Sequence, residues 1–305
     1  MDLAYLRAHP EHLRTFLVHQ RIRETPVGGG SICHALRLTL EDGASVFAKF
    51  INDPTDPKAN APVPDGFFEA EAAGLRWLGE ARESAGAGVP EVYAGLPGML
   101  VLEWIEPGEP SAAAAERFGR ELAATHRAGS PGYGAAWHGY IGTLSQPNAG
   151  GPSWAEWFAE QRLRPHLRAA ADRGALTATD VRLVDQVLAR IGDVAPPEEP
   201  PSRLHGDLWR GNVLWGDEGR AWLVDPSAHG GHRETDLANL ALFGGLPFLD
   251  HVLGAYQDVW PLAEGWRERR PLHQLHLLLV HAALFGGAYR DAVTGAAGSV
   301  LTALG

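Results

Sequence analysis

Residues 204–226 restrict the fold more than any other stretch. They read Leu204-His205-Gly206-Asp207-Leu208-Trp209-Arg210-Gly211-Asn212-Val213-Leu214-Trp215, then a turn at Gly216-Asp217-Glu218-Gly219, then Ala221-Trp222-Leu223-Val224-Asp225-Pro226. Asn212 follows Asp207 by five positions, close enough for both to share one loop. The glycine turn folds the next apolar run back as a hairpin, which returns Asp225 to the same place. A carboxylate facing an acceptor hydroxyl, an amide ligand for Mg²⁺ and a second carboxylate between Mg²⁺ and the ATP phosphates make up a kinase-type site. The expectation is Asp207 as catalytic base, Asn212 and Asp225 as metal ligands, and ATP with Mg²⁺ as cofactors.

Such a site needs groups that hold phosphates, and the N-terminal third supplies candidates. Gly28, Gly29 and Gly30 let the backbone approach a phosphate and present N–H groups to it. Alone, the triplet reads equally as a flexible hairpin, since it follows neither the Walker pattern nor G-x-G-x-x-G in full. Lys49 and Lys58 are the lysines of the chain, and Lys49 lies inside the apolar strand Ser45-Val46-Phe47-Ala48-Lys49-Phe50. A kinase keeps the lysine for the α- and β-phosphates in such a strand. Its carboxylate partner is expected on the helix around Phe68, Ala72, Leu75 and Leu78, with Glu71 first and Glu69 second. Residues 52–65 carry four prolines and read as a loop beside the cleft.

Two further strands, near residues 89–94 and 99–105, complete an antiparallel sheet of about five. Glu103, Trp104 and Ile105 then run into Glu106-Pro107-Gly108-Glu109-Pro110, a break that reads as an adenine-binding hinge or as a plain linker. Helices dominate beyond it, one opened by a capping box at Ser153 and Glu156 and another by Thr177 and Asp180. Apolar spacing also predicts one or two short helices in residues 1–21. The expected class is α+β and bilobal: an N-lobe over residues 1–103, a hinge over 104–110 and a helical C-lobe over 111–305.

Composition removes other classes. A formal net charge of −11 argues against binding a nucleic-acid backbone. A single cysteine, Cys33, excludes an internal disulfide framework. The apolar run over 275–285 contains His276 and His281 and is too short to span a bilayer, so no membrane partner is expected. The N-terminal residues do not read as a signal peptide, which makes the cytoplasm the expected location. The oligomeric state stays open, with a monomer as the working expectation.

The motifs together resemble the fructosamine kinase (ketosamine-3-kinase) family, within the aminoglycoside phosphotransferase-like, protein-kinase-like folds. The resemblance rests on His205-Gly206-Asp207-Leu208-Trp209-x-Gly211-Asn212, on Asp225-Pro226 followed by Gly231-His232-Arg233-Glu234-x-Asp236-Leu237-Ala238, and on Phe243-Gly244-Gly245. Tyr140-Ile141-Gly142-Thr143, Gln146-Pro147-Asn148, Trp154-x-x-x-Phe158, His281 and Phe285-Gly286-Gly287-x-Tyr289 agree, in order along nearly the whole chain. Two positions depart. Some members carry a redox cysteine directly after the glycines, where this chain has Ser31 and places Cys33 two residues on. Members often have an aromatic residue where this chain reads His229-Gly230 ahead of Gly231-His232.

The resemblance implies transfer of the ATP γ-phosphate to the O3 hydroxyl of a fructosamine, ribulosamine or erythrulosamine adduct, a deglycation activity on a small-molecule or glycated-amine substrate. In that reading Lys49 and the three glycines hold phosphates, while Glu103, Trp104 and Ile105 hold adenine. Trp209 walls the sugar pocket or is a core aromatic. His232, Glu234 and Asp236 line the acceptor site, Glu234 and Asp236 alternatively anchoring the C-lobe backbone. His205 orients the catalytic loop. Three other readings stand beside this one: a kinase for an aminoglycoside, choline or another hydroxylated amine; a metal-dependent hydrolase built on His205, Asp207, His229, His232 and Asp236; and a pseudokinase binding module.

Overall fold

The computed structural model describes residues 5, 8–12, 22–28, 33–51 and 63–304. Most of the helical expectation for 1–21, Gly29, Gly30, Ser31 and most of the proline-rich loop lie outside the described residues.

Five strands form the N-lobe sheet: β1 (Arg23–Pro26), β2 (His34–Thr39), β3 (Ser45–Phe50), β4 (Val92–Leu96) and β5 (Met99–Glu103). Every pairing is antiparallel, in the order β1-β2-β3-β5-β4. Side chains alternate faces along β3, and this alternation places its lysine. Val46 and Ala48 turn into an outer cluster with Leu38, Tyr93 and Val101. Phe47 and Lys49 therefore face the other way, towards helix α1 (Phe67–Gly79) and the cleft. Phe68, Ala72, Leu75 and Leu78 form the buried stripe of α1, and Glu71 lies within that stripe. The helix sits close on the sheet because Gly95 has no side chain; a Cβ there would come within 2.4 Å of Ala72 Cβ.

Beyond the hinge, Ser111 caps α2 (Ala112–Arg127), accepting from the Ala114 N–H at 3.2 Å. A short hairpin follows, β6 (Gly139–Ile141) with β7 (Leu144–Gln146). Helix α3 (Trp154–Phe158) runs through one wide turn, Ala159–Leu163, into α4 (Arg164–Asp172). Ser153 makes only its own half of the expected capping box, accepting from the Glu156 N–H at 3.3 Å. Both halves form at α5 (Ala178–Ala189), between Thr177 and Asp180. After the turn α6 (Ile191–Val194), the remaining elements are β8 (Ser202–Leu204), β9 (Val213–Gly216), β10 (Arg220–Leu223), β11 (His229–Gly231), α7 (Glu234–Asn239), α8 (Leu249–Val259), α9 (Trp266–Phe285) and α10 (Arg290–Ala303). The hairpin predicted before Asp225 is β9–β10, and β8 pairs with β11.

One hydrophobic cluster runs through both lobes, joining Phe68 and Leu75 of α1 to Leu208, Leu223 and Leu237. Backbone bonds reinforce it, from Leu223 N–H to Gly88 O at 2.8 Å and from Gly108 N–H to Trp215 O at 2.7 Å. Arg203 donates to Trp77 O at the end of α1 and pairs with Glu80 at 3.0 Å. The helix carrying Glu71 is thus packed on the C-lobe as well as on the sheet. None of the described helices is long and apolar enough to cross a membrane.

Candidate active site

The catalytic segment is held from below by a carboxylate. Asp236, fully buried in α7, accepts from the backbone N–H groups of His205 at 2.7 Å and Gly206 at 2.9 Å. Its Oδ2 also lies 3.3 Å from His126 Nε2, and the other nitrogen of that ring meets Tyr256 Oη at 2.9 Å. Gly206 has a φ of 83°, a turn that favours glycine. His205 Nδ1 accepts from the Asp207 N–H at 3.2 Å, so Nε2 carries the proton and donates to Val224 O at 2.8 Å. Burial holds this imidazole below its ordinary pKa despite Asp236 and Asp225 nearby. A neutral His205 ties the two halves of the site together.

Asn212 Nδ2 donates to Asp207 O at 2.8 Å and to Asp207 Oδ2 at 3.0 Å. The other carboxylate oxygen, Oδ1, is buried with no partner among the described residues. Burial raises the Asp207 pKa well above the carboxylate range; Asp225 and Asp236 add to this and the Asn212 amide opposes it. Asp225 sits across the cleft with a φ of 53°. Its Oδ1 lies 2.5 Å from Lys49 Nζ, and Lys49 also reaches Glu71 at 2.9 Å. Desolvation pushes Asp225 up, but the Lys49 charge together with the hydrogen bonds from Lys49 and Glu71 outweighs it and leaves the pKa lowered. Glu71 moves the other way, to about 7, because burial and the Asp225 charge prevail over Lys49. Desolvation works against the Lys49 ammonium, and the two carboxylates overcome it, raising its pKa.

These groups line a cavity of about 420 Å³ between the lobes. Gly28, Lys49, Glu71, Glu103, Trp104, Ile105, Asp207, Trp209, Asn212 and Asp225 all contribute to its wall. At the hinge, the Trp104 indole donates to Glu106 at 2.8 Å and lies under the Arg37 guanidinium at 4.5 Å. Cys33 also lines the cavity. Burial pushes its thiol up to about 11, with Lys49 opposing and Glu71 and Asp225 adding, so it stays protonated and a poor nucleophile.

Trp209 is a half-buried wall of the cavity, edge-on to Phe243 at 5.7 Å. Its ring folds over Gly211, where a Cβ would come within 2.4 Å of the indole. Gly211→Ala is therefore expected to swing Trp209 off its seat. Steady-state kinetics should show a raised acceptor KM with the ATP KM little changed. Trp137, Tyr140, His281 and Phe285 also line the cavity, the His281 ring centre 6.5 Å from that of Trp209. Tyr140, His281 and Phe285 belong to the motifs quoted above, but no local pattern in the sequence marks any of the four as a site residue.

His232, Glu234 and Asp236 do not line the cavity, so their placement at the acceptor site is corrected; for Glu234 and Asp236 the alternative reading, anchoring within the C-lobe, is the one the geometry favours. Their charge is consumed inside the C-lobe. Glu234 is clasped by Arg269 at 2.6 and 2.9 Å and lies 3.4 Å from His273 Nε2. His232 packs against Trp154, their ring centres 5.8 Å apart. His232, Glu234 and His273 bring ligand-type atoms within 4.8 Å of one another. Both oxygens of Glu234 are nonetheless taken by Arg269. His232 Nδ1 accepts from the Glu234 N–H at 3.3 Å, so its Nε2 carries a proton where a metal would need a lone pair. The hydrolase constellation is not assembled either: among the described residues its five members do not form a converging group of ligand atoms, both His205 nitrogens are engaged with backbone, and Asp236 is spent on backbone.

Comparison with known proteins agrees with this geometry. The fructosamine kinase family pattern matches residues 10–303. The chain belongs to the fructosamine kinase family. A protein of Enterococcus faecium named probable ketoamine kinase is 35% identical over 276 residues, covering 88% of this chain and 91% of that protein. One of the same name from Thermus thermophilus is 35% identical over 268 residues, 88% of this chain and 90% of that one. A Thermobifida fusca structure assigned as a fructosamine-3-kinase superposes with a TM-score of 0.85 at 50% identity, covering 93% of this chain and 95% of that one. Streptococcus pneumoniae choline kinase LicA, at a TM-score of 0.60 and 14% identity over 97% and 99% of the two chains, shares the fold. A fructosamine kinase is a phosphotransferase acting on an alcohol group, and the fold is the α+β, protein-kinase-like one.

Proposed function

We propose that this enzyme transfers the γ-phosphate of ATP to the O3 hydroxyl of a ketosamine. The observation that carries the reading is Asp207. One of its carboxylate oxygens is held by Asn212 and the other has no partner among the described residues, on a residue lining the same cavity as Lys49 and Asp225. The Asp207 carboxylate takes the O3 proton as the O3–Pγ bond forms; the bond from Pγ to the bridging oxygen breaks and ADP leaves with the electron pair. Lys49 and the glycine turn at Gly28 hold the phosphates, with Gly29 and Gly30 assigned there from sequence. With the Trp104 indole occupied by Glu106 and Arg37, the hinge backbone is what remains for adenine.

A divalent cation fits the residues present. The Asp225 side chain is 46% exposed and Asn212 bonds Asp207 through its amide nitrogen, so the Asp225 carboxylate and the Asn212 amide oxygen are the hard oxygen ligands of the kind Mg²⁺ prefers. Bound there, Mg²⁺ would neutralise charge on the phosphates. The acceptor end is walled by Trp209, with His281 beyond it at a ring separation of 6.5 Å. His281 Nδ1 donates to Leu277 O at 2.8 Å and burial lowers the ring's pKa, leaving Nε2 as an acceptor for a substrate hydroxyl or ammonium. Phosphorylation at O3 primes the adduct for elimination of its amine, so the role is deglycation, in the ATP-supplied cytoplasm.

ATP consumption over a panel of fructosyl-, ribulosyl- and erythrulosyl-amines, beside aminoglycosides and choline, tests this. Turnover of ketosamines giving a 3-phosphate by ³¹P NMR is expected; turnover confined to aminoglycosides or choline would overturn the assignment. The pH profile supplies a second test. Protonated Asp207 cannot take a proton, so kcat/KM rises as it ionises, and the acid limb should lie above the ordinary aspartate value of about 3.9. The Asn212 amide favours the ionised form, so Asn212→Ala should move that limb to still higher pH in whatever activity remains.

A further inference from the structure

Ser227 lies two residues beyond Asp225, and all its polar groups are engaged. Its N–H donates to His205 O at 2.9 Å, and its carbonyl accepts from His229 Nδ1 at 2.8 Å. Its hydroxyl donates to Tyr140 O in β6 at 2.6 Å and accepts from Gln146 Nε2, at the end of β7, also at 2.6 Å. Gln146 Nε2 comes within 3.4 Å of Ser227 O as well. Ser227 is 6% exposed and Gln146 1%. The turn they hold is one the chain would not choose. Asp225 sits in the left-handed region, which a non-glycine residue rarely adopts, and Pro226 follows it. The same hairpin that supplies Gln146 lines the cavity through Gly139, Tyr140 and Ile141.

Gln146 is not the side chain that stability alone would select. Its Oε1 is buried with no partner among the described residues, a cost that an apolar side chain at this one position would avoid. The amide orientation is fixed by its surroundings. Ser227 Oγ spends its proton on Tyr140 O, so the Gln146 group facing it must be the donor.

We propose that Gln146 is a positioning residue: through Ser227 it clamps the Asp225 turn and joins the metal-binding side of the site to the hairpin that walls the acceptor pocket. The inference rests on the reading of Asp225 as a metal ligand. Loosening the clamp lets Asp225 relax out of the left-handed region, which weakens metal binding. It also frees the Tyr140 backbone, which loosens the acceptor wall. One lost hydrogen bond therefore acts on both ends of the cavity.

The test uses the full-length enzyme with a non-hydrolysable ATP analogue and Mn²⁺, followed by electron paramagnetic resonance, so that metal affinity is read without turnover. Gln146→Leu and Ser227→Ala are each expected to weaken Mn²⁺ binding by about 10–100-fold, the range for groups that orient metal ligands. The double substitution should be no worse than the worse single one, and acceptor KM should rise in parallel with Mn²⁺ dissociation. Ser227→Ala removes a single oxygen and is the variant that keeps the test valid if Gln146→Leu folds poorly. Wild-type Mn²⁺ affinity in both, with only a lowered melting temperature, would make the pair mere packing and overturn the proposal. Asp225→Asn separates the two layers. If it binds Mn²⁺ as wild type does, the metal assignment fails and the clamp falls with it. If it loses Mn²⁺ while the clamp variants do not, the clamp alone is wrong.

Discussion

Replacing Asp207 by Asn should abolish turnover and, at neutral pH, make the protein more stable. The loss follows from removal of the group proposed to take the acceptor proton, worth roughly 10²–10⁴-fold in kcat for a general base. The gain has a separate cause. Burial, with Asp225 and Asp236 nearby, holds the Asp207 pKa well above its unfolded value. A carboxyl whose folded pKa is raised loses stability as pH climbs from the unfolded pKa through the folded one, because ionising it in the folded state costs more than in the unfolded chain. At pH 7 wild type carries that penalty, and the amide does not. Asn at this position still accepts from Asn212 through its oxygen. The measurement is a pair: kcat on the best ketosamine, and melting temperature at pH 7 and at pH 4. Stabilisation should be larger at pH 7 than at pH 4. Turnover within a few-fold of wild type would remove Asp207 from the mechanism, and equal melting temperatures at both pH values would show that its carboxyl is not strained by burial.

The sequence carried the site best where chemistry and local periodicity coincide. Lys49 and Asp225 are 176 residues apart, yet each could be read because its surroundings are short and regular. Alternation along Ser45–Phe50 dictates which face the lysine takes, and a glycine hairpin dictates where Asp225 returns. Asp207 and Asn212 share a loop, so spacing alone sufficed. Reading failed where a charged residue serves a backbone or a distant partner. His232, Glu234 and Asp236 look like ligands in a linear view because such a density of charge ordinarily belongs at a surface or a site. Their partners come from elsewhere: Arg269 lies 35 residues on, in α9, and the amides of His205 and Gly206 lie 31 and 30 residues back. No local pattern marks a carboxylate that caps a loop from another element. The aromatic wall was hidden for a related reason. Tyr140 comes from a hairpin, Trp137 from the segment before it, and His281 and Phe285 from a distant helix, and only packing brings them to one cavity with Trp209.

Asp236→Ala should be the most damaging substitution to the fold among the residues discussed. The carboxylate is wholly buried and serves two backbone N–H groups and the His126 ring. Its pKa is lowered although burial pushes it up, because the bonds from His126 and from the Gly206 N–H favour the ion. Removing it strands three buried donors at once. Breaking a buried charged arrangement by deleting one partner costs about 3–5 kcal/mol, a large part of a typical domain's stability. The effect also reaches the chemistry, because the freed amides belong to the residues just before Asp207. Asp236→Asn tests the mechanism more sharply. The two amides point at different oxygens, so the carboxamide must turn its NH₂ towards one of them, a donor facing a donor. Asn should therefore recover only part of the stability, and kcat should fall in proportion to the disturbance of Asp207 with acceptor KM little changed. Chemical denaturation and steady-state kinetics on the two variants give both quantities. A protein as stable as wild type with only acceptor KM raised would instead return Asp236 to the substrate pocket, and the backbone anchor would be the wrong account of its burial.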